Sequence, residues 1–281
     1  MIETLSWVLQ QDVAIIDVGH YNSPRKLYGL HLRRCAISRM LTPARVQCNG
    51  MKSVDESAMT GSAPRTDRLF SSAEFFALAK ARLSFDAPEG LTDPSVIPRP
   101  DDHDADPAVI AAIAAVRPTR TAAVLVPIIA RAEPTVLFTQ RTAHLADHAG
   151  QIASPGGKID AYDASPAAAA LREAEEEIAL DRRFVEPIGY LDVHITPGGY
   201  RIVPTVARVR EGFSLRLSRD EVDDAFEVPL AFLMAPQNYK RERAEWNGLI
   251  TSVYAIPFND RNIWGATAGI LRNLWERIYR G

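Results

Sequence analysis

The chain has two cysteines among 281 residues, Cys35 and Cys48. Two thiols build neither a disulfide framework nor a four-thiolate zinc site, so a reducing compartment is the default. Long apolar runs are also missing, and no stretch approaches the ~18–20 residues that a membrane span needs. The first residues lack the basic start, apolar run and small-residue cleavage site of a secretory signal. Basic charge is not in excess either. Lys and Arg number 32 against 35 Asp and Glu, a net charge of −3, whereas nucleic-acid binders usually carry a basic surplus. No internal repeat and no helix-turn-helix pattern is visible. These absences lead us to expect a cytoplasmic protein with no nucleic acid and no membrane as partner. A homodimer is compatible with all of them. At 47% hydrophobic residues the composition is ordinary for a globular protein of one large domain or two small ones.

Composition changes along the chain. Residues 1–66 mix short apolar patches with Arg33, Arg34, Arg39 and Arg45 and show no sustained period. We expect a disordered lead-in there, or a misassigned start with Met59 close to the natural one; a targeting or partner-binding arm is the alternative. Residues 67–118 are expected to hold two helices and a linker. The first helix opens at Ser71 with Glu74 three residues on, and the second at Asp106-Pro107. A Pro- and Asp-rich linker, 87–104, separates them. From residue 119 to 281 strands and helices mix without strict alternation. Strands are expected at 121–130, 135–141, 188–194, 202–209 and 250–258, with a weaker one at 213–217. A short helix is expected from Val228-Pro229-Leu230 and a closing one at 266–279. That pattern gives an α+β class, a mixed sheet with helices on its faces.

One stretch carries the chemistry: Ala170-Leu171-Arg172-Glu173-Ala174-Glu175-Glu176-Glu177-Ile178-Ala179-Leu180, with Pro155-Gly156-Gly157-Lys158 upstream. Ser165-Pro166 is a good cap for a helix here. On that helix Glu173, Glu176 and Glu177 stand at i, i+3 and i+4, so three carboxylates share a face. Ala167, Leu171, Ala174 and Ile178 form an apolar stripe. Like charges at this spacing repel, and a helix built only for stability would dilute them with lysines. A solvated acidic face is the plain alternative. The glycine turn and the lone Arg172 favour a site for Mg²⁺ or Mn²⁺, hard ions that take carboxylates together with substrate phosphates. Glu173 and Glu177, one turn apart, are the principal candidate ligands.

The segment 157–179 resembles a Nudix box: a glycine, a spaced acid, then Arg-Glu-apolar-x-Glu-Glu-x-Gly-apolar. More narrowly, Leu137-Phe138-Thr139-Gln140-Arg141, His148-Ala149-Gly150-Gln151 and Ser154-Pro155-Gly156-Gly157-Lys158-Ile159-Asp160 resemble the signature of the coenzyme A pyrophosphatase branch. Gly199-Tyr200-Arg201-Ile202-Val203-Pro204 and Ile263-Trp264-Gly265-Ala266-Thr267-Ala268 do so as well. The likeness spans roughly 119–280. Four details differ from the general pattern. The stretch from Gly157 to Arg172 is one residue longer, a feature the branch shares. Asp163 supplies the spaced acid, Ser154 stands where the branch usually has Phe, and Ala179 replaces the box's final glycine.

The resemblance implies an α/β/α sandwich and metal-dependent hydrolysis of the coenzyme A diphosphate to 3′,5′-ADP and 4′-phosphopantetheine. ADP-ribose or NADH is the alternative substrate, and a non-catalytic nucleotide-binding module the alternative class. It implies metal ligation by Glu173 and Glu177, with Glu176 as a further ligand or the holder of a metal-bound water, and the Gly157 carbonyl alongside. It implies that Arg172 locks a catalytic glutamate by a charge-assisted hydrogen bond; a surface i,i+4 pair with Glu176 is the other reading. Glu221 is the candidate general base. Arg141, His148, Gln151 and Lys158 are candidate substrate contacts, and Tyr200 a candidate stacking or groove residue. Each of these five has a plain structural reading beside the functional one.

Overall fold

The computed structural model describes residues 14–15, 71–91, 93, 95–96, 107–117, 119–144, 150–246 and 248–280. The expected lead-in, both cysteines and the candidate contact His148 lie outside the described residues, apart from the dipeptide 14–15. In chain order the first elements are β1 (Ala14–Ile15), α1 (Ser72–Arg82), α2 (Pro107–Ala115), β2 (Arg120–Ile129) and β3 (Thr135–Arg141). There follow β4 (Ile152–Ala153), β5 (Gly156–Lys158), α3 (Pro166–Ile178), β6 (Val185–Tyr190), β7 (His194–Ile195) and β8 (Tyr200–Val209). The rest are β9 (Val222–Pro229), α4 (Leu230–Leu233), β10 (Lys240–Trp246), β11 (Leu249–Phe258), β12 (Arg261–Trp264) and α5 (Gly265–Trp275). Among the described residues no helix is long and apolar enough to cross a membrane.

β2 is the axis of the larger sheet. Its near-continuous apolar run is what a strand covered on both faces requires, and Ala122 to Ile129 are buried without a break. β8 runs parallel to it over its whole length, from Arg120 opposite Tyr200 to Ile129 opposite Val209. On the other edge β3 pairs with β2 only at Ile128–Val136 and Ile129–Thr135, then diverges. β5 takes the vacated edge, antiparallel, with Ala123 opposite Gly157. β9 and β4 pair with β3, and β6 and β7 with β8. A second antiparallel sheet runs β1-β10-β11-β12.

Alternation along β2 sorts the core into two layers. Ala122, Val124, Val126 and Ile128 face a cluster holding Phe75 and Phe76 of α1, Leu230 and Leu233 of α4, and Leu271 and Leu274 of α5. Ala123, Leu125 and Ile129 face Ala169, Ala170, Ala174 and Ile178 of α3. Helices therefore cover both faces of a mixed sheet, the α+β sandwich that the sequence led us to expect. The capping at Ser71 forms as expected: its hydroxyl accepts from the Glu74 N–H at 3.3 Å and donates to the Glu74 carboxylate at 3.1 Å.

Several expectations need correcting. The strand placed at 188–194 begins earlier and ends at Tyr190, with the two-residue β7 after a gap. Residues 213–217 form no strand, yet Phe213, Leu215 and Leu217 pack on the α3 side of the core. Their alternation reflects an extended segment lying on the core. β9 was hidden by its Asp-rich start, β10 by a Lys-Arg-Glu-Arg sequence that serves an exposed strand, and β12 by its brevity. The linker is partly strapped down: buried Arg201 donates to the carbonyls of Gly90 and of Val96, the latter at 2.9 Å.

Candidate functional site

Residues around α3 explain why carboxylates gather there. Ser165 caps the helix by accepting from the Ala168 N–H at 3.1 Å, and Pro166 fills its first position. Alanines at 169, 170 and 174 are fully or almost fully buried against small and medium side chains of β2. Small groups on both surfaces let helix and sheet approach closely. The closeness shows at two glycines. A Cβ at Gly156 would overlap the Ala123 carbonyl, and one at Gly157 would overlap the Glu173 carboxyl group. Here glycine is required by close approach rather than by backbone conformation.

Arg172 organises the acidic side chains. Its Nε and Nη2 donate to both oxygens of Asp163 at 3.1 and 3.0 Å, a bidentate pair. Nη1 donates to Glu173 at 2.9 Å and to Glu176 at 3.1 Å, and Nη2 also reaches the Lys158 carbonyl at 3.1 Å. Hydrogen bonds to Asp163, and then the charge of Glu173, hold the guanidinium firmly protonated. Burial alone would raise the Asp163 carboxyl; the Arg172 hydrogen bonds more than offset it and leave it below the ordinary carboxylate range. The spaced acid of the sequence motif is thus the arginine's main anchor, a role that its position alone did not reveal. This is more than a surface i,i+4 pair, since the Arg172 side chain is only 17% exposed and hydrogen-bonds three carboxylates, with Asp160 a fourth at 3.8 Å.

Glu173 and Glu177 lie inward. Burial lifts the Glu173 carboxyl to about 7, and Arg172 opposes the rise. Glu177 is 6% exposed, and its Oε2 has no hydrogen-bond partner among the described residues. Burial raises its pKa most, then the charges of Glu173 and Glu221; Arg141 and a backbone hydrogen bond from Gly156 pull it down. Glu221 joins this group from another segment. The last-turn carbonyls of α3 explain how: Ser218 N–H donates to Glu177 O at 2.8 Å and Arg216 N–H to Ile178 O at 3.0 Å. Those bonds tie the stretch before β9 to the end of α3 and set Glu221 beside Glu177. Burial raises the Glu221 carboxyl too, with Arg141 as the opposing charge.

The remaining candidates divide. Glu176 is 55% exposed and turned toward Arg172. Lys158 is half exposed, with Nζ 3.7 Å from Asp160. Gln151 lies beside the site through its carbonyl, which accepts from the Arg141 N–H at 2.9 Å. Arg141 faces Glu177 and Glu221, so its charge is directed at carboxylates before any phosphate. Tyr200 differs from expectation: it is 2% exposed in the core, its hydroxyl accepting from Arg120 at 3.2 Å, and no ring face is left for stacking. An aromatic at the start of a strand cannot be told from sequence as pocket wall or core. Ser154 is buried, and its hydroxyl has no hydrogen-bond partner among the described residues.

A divalent ion suits this donor set. An anionic oxygen buried without a donor, beside two more carboxylates of raised pKa, is stabilised by a cation. Among the described residues no three such side chains are gathered closely enough to form a cage by themselves. A hard ion that keeps waters and substrate oxygens among its ligands does not need one.

The NUDIX domain model matches residues 119–246. The chain is 44% identical over 159 residues to a protein of Escherichia coli (strain K12) named "Uncharacterized Nudix hydrolase NudL", covering 57% of this chain and 83% of that one. The protein of the same name from Shigella boydii serotype 18 matches with the same identity and coverage. Among solved structures, a MutT/nudix family protein from Enterococcus faecalis superposes with a TM-score of 0.38 at 16% identity, over 59% of this chain and 64% of that chain. The chain belongs to the Nudix hydrolases, a family that works with divalent metal ions, and it is a hydrolase of pyrophosphate bonds in nucleoside diphosphate derivatives.

Proposed function

We propose that this hydrolase cleaves the diphosphate of coenzyme A or its derivatives, using Mg²⁺ or Mn²⁺ held by Glu173 and Glu177 with the Gly157 carbonyl. The observation that carries the site assignment is the buried Glu177 oxygen without a donor, next to a Glu173 carboxylate seated on Gly157. When bound, the ion neutralises charge on the phosphoryl oxygens and acidifies a bound water. Arg172 is a positioning residue: its bonds to Asp163, Glu173 and Glu176 fix the carboxylates before substrate arrives. Glu221, with its raised pKa, accepts the proton of the attacking water. The water oxygen bonds to one phosphorus and the bridging P–O bond breaks, leaving two phosphate esters, 3′,5′-ADP and 4′-phosphopantetheine. Glu176 holds an outer water or contacts substrate at the rim.

The substrate reading is supported by the branch-like segments around Arg141, Gln151 and Gly157 and by those at Gly199 and Trp264. Two arginines of the branch-like segments are already engaged and leave few cations for the 3′-phosphate of coenzyme A. Arg201 is committed to carbonyls of the 90–96 segment and Arg141 to carboxylates. Lys158 is therefore the preferred phosphate contact. The test is kcat/KM for coenzyme A, dephospho-coenzyme A, ADP-ribose and NADH at one Mg²⁺ concentration. Coenzyme A should lead its dephospho form by about tenfold or more, since a charge-assisted contact is worth ~1.5–3 kcal/mol, and Lys158→Ala should shrink that lead. Faster turnover of ADP-ribose or NADH would overturn the substrate and leave the diphosphatase standing. The location, proposed as cytoplasmic, is checked by fractionating cells.

A further inference from the structure

On the face of the sheet opposite α3 lies a cavity of about 500 Å³ that the proposed reaction does not use. It is walled by α1, by β8 and by the turn between β2 and β3. Phe76 and Ala130 give it apolar surface, while Lys80, Arg131 and Arg208 give it three cations from three separate elements. The first residues of α1, Ser72 and Ala73, also line it, so the positive end of the helix faces the same space.

Two of the cations are anchored by carboxylates. Lys80 Nζ donates to Glu186 at 2.8 Å. Arg131 pairs with Glu227 and, at 3.3 Å, with Glu211. Arg208 stands opposite Glu186 across β6 and β8, and its charge helps to lower that carboxyl, though no hydrogen bond joins them. Its guanidinium sits over the Phe76 ring at 5.2 Å, and its Nε is buried with no hydrogen-bond partner among the described residues. The buried Nε lies behind the cavity wall, so a ligand in the cavity would meet the terminal nitrogens of the guanidinium. Stacking on Phe76 fixes the plane of the guanidinium fork, which matches the oxygens of a phosphate. Lys80 keeps further ammonium donors beyond the one given to Glu186. The volume fits a drug-sized or nucleotide-sized molecule.

We propose that this cavity binds a small phosphate-bearing ligand of mononucleotide size, with Arg208 and Lys80 on the phosphate and Phe76 and Ala130 against the apolar part. The site is independent of the metal and of the carboxylates on α3, so its ligand acts as an effector of the hydrolase or is retained product.

Titration calorimetry of the full chain with adenosine 5′-monophosphate in EDTA tests this, because chelation silences the metal-dependent site. Wild type and Glu173→Gln should bind equally. Arg208→Ala should weaken binding tenfold or more, Arg208→Lys less, and Lys80→Ala severalfold. Lys80 is half exposed, so its variant folds and decides the matter even if Arg208→Ala does not. No heat from wild type at millimolar nucleotide overturns the proposal. So does binding that Glu173→Gln abolishes, or binding that Lys80→Ala leaves unchanged.

Discussion

The two faces of the central sheet are built to different ends. Opposite α1, α4 and α5 the layer is thick and aromatic: Phe75, Phe76, Phe138 and Ile256 are buried within 5% exposure. Under α3 the helix presents Ala169, Ala170 and Ala174 to the sheet and comes close to it, and its edge carries Glu173, Glu177 and Glu221 in partial or full burial. A thick layer gains stability from area and packing. Close approach brings helix backbone and strand backbone near enough for a carboxylate to rest on a glycine. The molecule therefore separates what holds it together from what strains it, and buried like charges are tolerated on one face because the other supplies the stability.

That separation predicts opposite outcomes for two substitutions. Phe75 is fully buried and meets Phe76 edge-on at 5.3 Å between centroids. Phe75→Ala should cost about 3–5 kcal/mol, a melting-temperature loss of roughly 10 °C for a domain of this size, with kcat nearly intact at low temperature. An equally large fall in kcat would break the comparison, because it would mean the thick face also sets the site's geometry. Glu173→Gln should behave in reverse. Hydrolysis should fall about 10²–10³-fold, the scale of losing one strong electrostatic stabiliser, while the melting temperature in EDTA holds or rises. Gln keeps the shape and removes a charge that burial penalises. A variant that melts well below wild type would show that the carboxylate is structural.

Sequence made the site far more legible than its surroundings. Arg172, Glu173 and Glu177 share one rigid element, so spacing along a helix fixes their faces. β2, β3, β8, β11 and α3 were also readable, since apolar strands and capped helices announce themselves by period and punctuation. What failed depended on contacts between distant segments. Tyr200 and Arg201 follow a glycine turn that looks like a binding loop, yet one enters the core and the other straps residues 90–96. β9 and β10 carry too much charge to look like strands and are fixed by pairing with β3 and β11. The place of Glu221 beside Glu177 comes from backbone bonds between residues 216–218 and the end of α3, and no local pattern encodes those.

Acidity offers a finer probe of the strained face. Glu173 has an ordinary pKa of 4.5 and one of about 7 in the fold. Between those values the folded protein holds more protons than the unfolded chain, so stability falls as pH rises. Glu177 and Glu221 shift in the same direction, chiefly through burial. In EDTA, wild type should lose melting temperature from about pH 4.5 to 7, and Glu173→Gln should lose less. Added Mg²⁺ or Mn²⁺ at pH 8 should recover much of the loss, since the ion binds the ionised carboxylates. Superimposable curves for wild type and variant would remove Glu173 from the set of strained groups.

The smallest expected effect lies at the end of α3. The helix closes with the Ala179 N–H bonded to Glu175 O at 3.0 Å, the single bond of an αL cap, and the Leu180 N–H reaches Ala174 O at 3.3 Å. Such a close needs a left-handed residue, and Ala179 takes it at φ 53° and ψ 34°. An alanine there pays roughly 1–2 kcal/mol in clash between its Cβ and the following carbonyl. Glycine removes the clash but frees the unfolded chain by about 0.4–1 kcal/mol. Ala179→Gly should therefore stabilise by about 0.5–1 kcal/mol and raise the melting temperature by roughly 2–3 °C. Because Glu177 and Ile178 carbonyls hold the stretch leading to Glu221, a better-formed helix end should leave kcat unchanged or slightly higher. Paired melting and kinetic measurements on this variant sharpen the comparison. A drop in both would mean that the alanine's strain is needed to position the carboxylates, tying stability and site together on the α3 face.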